Sequence, residues 1–153
     1  MSTLPTIATV IGSGTMGPGI AATLARAGVT VRLYDIAEDA IARAEAAYDV
    51  VRGVLDAVDA PSADGGSVSF GTDLDAALAD TELVIEAVPE RLELKRSVLA
   101  DLEARVAPDV IIATNTSGIP ISTMAEKMRV PGRLIGMHWS NPPHLIPMIE
   151  VIP

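Results

Sequence analysis

Gly12, Gly14 and Gly17 stand between the apolar run Ile7–Ile11 and a segment, Ile20–Ala27, with the pattern of a helix body. A second apolar run, Val29–Tyr34, follows, and Asp35 closes it. A G-x-G-x-x-G string is common in turns, so its letters say little. Its place between a strand and a helix, with an acid ending the next strand, is what the chain needs to grip a dinucleotide. Gly12 permits the tight turn, Gly14 lets a pyrophosphate approach the backbone, and Gly17 lets the helix pack against the strand. The exposed N–H groups and positive dipole end of that helix favour phosphate there. Thr15 and Met16 complete the loop.

The rest of the chain alternates between apolar runs and helical patterns. Strands are expected at Ile7–Ile11, Val29–Tyr34, Val68–Phe70, Leu83–Val88, Val110–Thr114 and Arg133–His138. Helices are expected at Met16–Ala27, Glu38–Val58, from a Thr72-Asp73 cap through Leu78, at Glu90–Val106 and at Ile121–Lys127. Asp59–Ser67, with Pro, Ser and paired Gly, is the strongest loop signal. Met148–Ile152 is extended and apolar, with no assignable place in the sheet. The alternation indicates βαβ units and an α/β fold, a doubly wound, mostly parallel sheet of the Rossmann type, with residues 1–153 as one NAD-binding domain. Nearly half the residues are apolar and only 3% aromatic, which suits strands buried on both faces.

Other classes are disfavoured. The net charge of −9 speaks against nucleic acid, which needs clustered Lys and Arg. No apolar stretch approaches the ~20 residues of a membrane span. Met1–Thr9 lacks a basic leader region, and the absence of cysteine removes disulfides and thiolate metal sites. A cytoplasmic protein with no metal, no membrane and a small-molecule substrate is expected.

Asp35 is followed by Ile36-Ala37 rather than by Arg or Lys. A carboxylate there accepts hydrogen bonds from both ribose hydroxyls and repels a 2′-phosphate, so NAD is favoured over NADP, with FAD the competing dinucleotide. Arg32, at opposite parity to Asp35, reads as a surface or sheet-face residue.

Three polar clusters fall at the ends of later strands, where an open α/β sheet opens its ligand crevice. They are Ile85-Glu86-Ala87-Val88-Pro89-Glu90, Thr114-Asn115-Thr116-Ser117-Gly118 and Gly136-Met137-His138-Trp139-Ser140-Asn141-Pro142-Pro143, and Glu150 follows inside Met148–Ile152. A histidine at a strand end is often structural, and a carboxylate in an apolar run can be an edge position facing water. Together they supply a proton-transfer site. His138 would be the base, Glu150 would fix its tautomer, and Ser117 and Asn141 would hold a substrate oxygen.

On these motifs the chain resembles the 3-hydroxyacyl-CoA dehydrogenase family over essentially its whole length. GSGTMG, TDLDAALADTELVIEAVPE, NTSG and HWSNPP…IEVI occur in the family's order. The resemblance implies hydride exchange between NAD and an L-3-hydroxyacyl thioester, as in fatty acid metabolism. It implies His138 as catalytic acid and base, Glu150 as its partner, Ser117 and Asn141 at the substrate, and Asp35 at the adenosine ribose. It places Ala87, Val88, Glu90, Lys95 and Asn115 along the cofactor, Glu90 and Lys95 near the nicotinamide ribose. Lys95 also reads as a solvated helix lysine. The family's helical C-terminal domain, which supplies dimer contacts and part of the substrate site, is absent from these residues, so the chain by itself is expected to bind NAD and turn over poorly.

The chain also departs from the pattern. Gly118 replaces a serine, Trp139-Ser140 replaces an aromatic pair, and Pro142-Pro143-His144 follows Asn141. The stretch Ala37–Asp59 carries Glu38, Asp39, Glu45, Asp49, Asp56 and Asp59 against Arg43 and Arg52, a poor grip for CoA phosphates. Relatives acting on gulonate, carnitine or diketo-esters are therefore an alternative guide to the substrate, and a non-catalytic NAD-binding protein is a third reading. His144 reads as a loop residue or one lining the substrate entrance.

Overall fold

The computed structural model describes residues 5–153; residues 1–4 of the Met1–Thr9 segment lie outside them. In chain order the elements are β1 (Ile7–Ile11), α1 (Gly17–Arg26), β2 (Thr30–Tyr34), α2 (Glu38–Ala57), β3 (Ser67–Gly71), α3 (Leu74–Leu78), β4 (Leu83–Glu86), α4 (Leu92–Arg105), β5 (Ile111–Thr114), α5 (Ile121–Ala125), β6 (Leu134–Trp139) and β7 (Ile149–Ile152). The strands form one sheet in the order β3-β2-β1-β4-β5-β6-β7, parallel except for β7. This is the expected doubly wound sheet. Its order reverses between β1 and β4, so the crevice opens at the carboxyl ends of those strands.

Period-two alternation divides the core. Val10 and Ile85 face one layer with Ile20, Ala21 and Leu33. Their neighbours Ile11 and Val84 face the other with Leu99, Leu102 and Met124. Both faces are covered at the centre of the sheet, which is why β1, β4 and β5 are mostly apolar on both faces. Thr9 is the polar intruder, and its hydroxyl donates to the Ala77 carbonyl at 2.6 Å.

Most element bounds shift by a residue, and the larger shifts have causes. The fourth strand stops at Glu86 rather than Val88, because Val88 N turns back to donate to Glu86 Oε1. The helix expected from Glu90 starts at Leu92, since Glu90 folds over the Thr116–Gly118 turn instead. The sixth strand begins after Arg133, which ends a 3-10 turn, and runs on to Trp139 through its pairing with Ile149. The helix expected through Lys127 stops at Ala125. Asp73, not Thr72, caps α3, accepting from Ala76 N at 3.0 Å, while Thr72 donates to Glu38. Arg32 is half-buried and donates to the Ala77 and Ala79 carbonyls.

Met148–Ile152 finds its place as the edge. The short link from Trp139 to Ile149 leaves no room for a crossover helix, which needs a dozen or more residues, so β7 folds back antiparallel. That register sets His138 opposite Glu150.

Candidate functional site

The glycine loop is built for close approach. Gly12 has φ +106°, and a Cβ on it would meet the Ala87 carbonyl oxygen at 2.7 Å. A Cβ on Gly17 would strike the Gly12 carbonyl oxygen and lie 3.3 Å from Leu33 Cδ1, so the loop closes on itself as well as on the sheet. Gly14 faces open space. Met16 caps α1 without a side-chain bond, and no acidic residue sits in its first turn, so its leading N–H groups remain for a ligand. Asp35 Oδ2 accepts from Ser13 N at 2.9 Å and Ser13 Oγ at 2.7 Å, tying the end of β2 to the loop. A cavity of about 680 Å³ runs past Gly14, Thr15, Met16, Asp35 and Val88. Ile36, Leu94 and Val98 add an apolar wall, unmarked in sequence because their positions become adjacent only in the fold. Backbone donors, a carboxylate beside them and an apolar slot suit an adenine dinucleotide.

At the ends of β4 and β5 lies a buried ionic network. Glu86 is 0% and Lys95 1% exposed. Lys95 Nζ donates to Glu86 Oε1 at 2.8 Å, Glu86 Oε2 at 3.0 Å and the Val88 carbonyl at 3.2 Å, with Glu90 Oε2 at 3.3 Å. Thr114 Oγ1 donates to Glu86 Oε2 at 2.6 Å. Lys95 is thus no solvated helix lysine, although it does line the second cavity. Glu86 is the residue that sequence reasoning passed over; its signal was a carboxylate inside the apolar run Leu83–Val88 of a doubly covered strand. Glu90 Oε1 accepts from Thr116 Oγ1, Ser117 N and Gly118 N, clamping the turn that carries Ser117. Partial burial pushes the Glu90 carboxyl up, but these bonds and the Lys95 charge outweigh it and hold the group below the usual glutamate range.

The third part is the sheet edge. His138 Nδ1 and Glu150 Oε2 are 2.8 Å apart, their side chains 31% and 61% exposed. The edge-position reading of Glu150 holds, and it is a histidine partner as well. A carboxylate only accepts, so Nδ1 carries the proton of this bond and Nε2 is left as the acceptor. A cavity of about 510 Å³ joins His138, Ser117, Asn141, Asn115, Glu90 and Lys95, with Met16, Ala87 and Val88 linking it to the glycine loop. Asn115 Oδ1 accepts from Trp139 N at 2.9 Å, so this side chain fixes β6 against β5 and offers the cavity its amide N–H groups. Every expected site residue lines one of these cavities except Gly17, which shapes the loop from behind, and Glu150, which acts on His138. Among the described residues there is no cluster of potential metal ligands, and no helix is long and apolar enough to cross a membrane.

The family model described as "3-hydroxyacyl-CoA dehydrogenase, NAD binding domain" matches residues 7–153. The chain is 49% identical over 145 residues to the 5-formyl-3-hydroxy-2-methylpyridine 4-carboxylate 5-dehydrogenase of Mesorhizobium japonicum, covering 94% of this chain and 47% of that protein. It is 38% identical over 151 residues to a 3-hydroxybutyryl-CoA dehydrogenase of Mycobacterium tuberculosis, covering 94% of this chain and 52% of that protein. A crystal structure of 5-formyl-3-hydroxy-2-methylpyridine 4-carboxylic acid 5-dehydrogenase, described as an NAD-dependent dismutase, superposes with a TM-score of 0.92 at 45% identity, over 97% of this chain and 48% of that one. The chain thus spans about half the length of these relatives.

Proposed function

The chain belongs to the 3-hydroxyacyl-CoA dehydrogenase family as its NAD-binding domain, and from that premise we propose that it serves the interconversion of a small, free hydroxy acid and its oxo form. The observation that carries this reading is the His138–Glu150 pair, 2.8 Å apart beside a cavity that continues into the glycine loop. Bound between the glycine loop and Asp35, NAD would supply the hydride acceptor for oxidation of the carbinol carbon and, reduced, the hydride donor for the reverse reaction.

His138 Nε2 takes the hydroxyl proton as the C–O bond gains double-bond character, and gives it back in the reverse direction. Glu150 holds the ring in the tautomer with Nε2 free and stabilises the imidazolium that forms. Ser117 and Asn141 hold the substrate oxygen, and the Glu90 clamp keeps the Ser117 turn in place. Asp35 receives the adenosine ribose hydroxyls while its second role, gripping Ser13, keeps the loop in register.

A free acid is favoured over a CoA thioester because α2 presents Glu38, Asp39, Glu45 and Asp49 where phosphates would need cations. The relative 49% identical also acts on a carboxylate without CoA. The second reading, an L-3-hydroxyacyl-CoA, is supported by the family match and by the 3-hydroxybutyryl-CoA dehydrogenase likeness.

The test is reduction of acetoacetate against acetoacetyl-CoA, with NADH and with protein in excess so that one slow turnover is readable. Faster reduction of the free acid is expected. Reduction of the thioester alone overturns the substrate class. Tight NADH binding with reduction of neither supports the non-catalytic alternative.

A further inference from the structure

A third cavity, of about 470 Å³, lies on the far side of the glycine loop, between α1, α2 and the loop after β6. Ser13, Thr15, Arg43, Asn141, Pro143 and His144 are among its walls. We propose that this cavity binds the carboxylate of the substrate, with Arg43 as its charge partner and His144 as its hydrogen-bond donor. The proposal rests on the free-acid reading above and names the residues that would select such an acid.

Charge is the first argument. Arg43 is the one ionised side chain lining the cavity, and no Asp or Glu does, in a chain whose net charge is −9. A single cation on the wall suits one small anion better than the several phosphates of a coenzyme tail. Arg43 already donates to Asp39 Oδ2 at 2.7 Å, but both side chains are about seven-tenths exposed. An ion pair that exposed contributes little, so the guanidinium can turn to a ligand carboxylate at small cost. A guanidinium can then meet it with two parallel N–H bonds.

His144 supplies the second argument. Its Nδ1 is buried and has no hydrogen-bond partner among the described residues. It lies 3.1 Å from where a Cβ on Gly19 would sit, so the ring packs flush against α1 only because that position is glycine. An N–H sealed there would be left unpaired at a cost, which favours the tautomer with the proton on Nε2. With Nδ1 closed off, Nε2 is the nitrogen left to donate to a ligand.

The third argument is continuity. Asn141 lines both this cavity and the one containing His138, while Gly14 and Thr15 join it to the cofactor groove. A molecule that spans from His138 to Arg43 and His144 would pass Asn141, the residue the two cavities share.

The experiment measures binding of acetoacetate and of its neutral isostere acetoacetamide to the chain saturated with NAD. Oxidised cofactor and an oxo compound cannot react, so affinity is read without turnover. Quenching of Trp139, the only tryptophan, reports it, with calorimetry as a check. The wild-type chain is expected to favour acetoacetate by about tenfold or more, the scale of one hydrogen-bonded charge. Arg43→Met and His144→Phe should each bring acetoacetate down toward the amide, with amide and NAD affinities unchanged. A wild-type preference that survives both substitutions overturns this site while leaving the free-acid reading intact. No wild-type preference, or tighter binding of acetoacetyl-CoA than of either probe, overturns the free-acid reading and the site with it. Loss of NAD affinity in Arg43→Met would assign the guanidinium to the cofactor's phosphates and also overturn the proposal.

Discussion

Two acid–base pairs of the same length stand on the same sheet, one at the end of β4 and one across β6 and β7. Lys95 and Glu86 are 2.8 Å apart, and so are His138 and Glu150. Their surroundings separate them. In the first pair the side chains are 1% and 0% exposed, and both Glu86 oxygens take further bonds from Val88 N and Thr114 Oγ1. Every proton there has an owner, so the pair is fit to hold β4, β5 and α4 together and unfit to trade protons. In the second pair the side chains are 31% and 61% exposed, and one ring nitrogen is unclaimed. Separation does not set the role of an ion pair; the supply of partners does.

The comparison breaks most visibly at the buried pair. Lys95→Met leaves Glu86 charged and without its cation in the core, which costs about 3–5 kcal/mol of stability. Urea unfolding of the variant should show an unfolding free energy lower by that amount, with NAD binding weakened as a consequence. A loss under ~1 kcal/mol would mean that water reaches Glu86 and that the pair is not structural. His138→Gln should do the opposite. The exposed edge tolerates it with a stability change within about 0.5 kcal/mol, while hydride transfer falls by about 100- to 10,000-fold, the usual contribution of a positioned base. Single-turnover NADH oxidation measures the second figure. Near-wild-type rates would remove His138 from the mechanism and make the two pairs alike.

The same contrast explains what could be read from the residues alone. The glycine loop was legible because its meaning lies in neighbours along the chain: strand before, helix after, acid at the next strand end. His138 and Glu150 were legible as chemistry by resemblance and by their placement near strand ends, but their contact depends on β7 turning back antiparallel, which the sequence pattern of Met148–Ile152 does not specify. Glu86 and Lys95 were the harder case. A lysine in a charged helical stretch looks solvated, and only the packing of α4 on β4 shows it to be buried. Glu90 likewise looked like the first residue of a helix, because the three donors that draw it away come from the Thr116–Gly118 turn, distant in sequence.

Asp35 lies between the two extremes, half-buried and serving both loop and ligand. Asp35→Ala should weaken NAD by about 10- to 100-fold, the range for hydrogen bonds to a charged group. It should also cost about 1 kcal/mol of stability through the lost Ser13 bonds. Titration of NADH fluorescence measures the first quantity. An unchanged affinity would confine Asp35 to the loop and reject its ribose role.

Glu90 gives the smallest effect and the sharpest check, since it touches both networks. Its carboxyl is held below the usual glutamate value, so the folded state gains from its ionisation. That gain is complete above about pH 4.3, the ordinary value, and is lost as pH falls through the lower value of the folded state. The Glu90 side chain is 41% exposed, so screening keeps the gain to about 1 kcal/mol or less. Glu90→Gln keeps the shape and drops the charge. Its unfolding midpoint in urea should sit below that of the wild type at pH 7, and the two should converge as pH falls below the ordinary glutamate value and the wild-type carboxylate takes up its proton. A gap that persists undiminished once the wild-type carboxylate is protonated would mean that Glu90 clamps the Ser117 turn by shape alone, and that its charge belongs to neither pair.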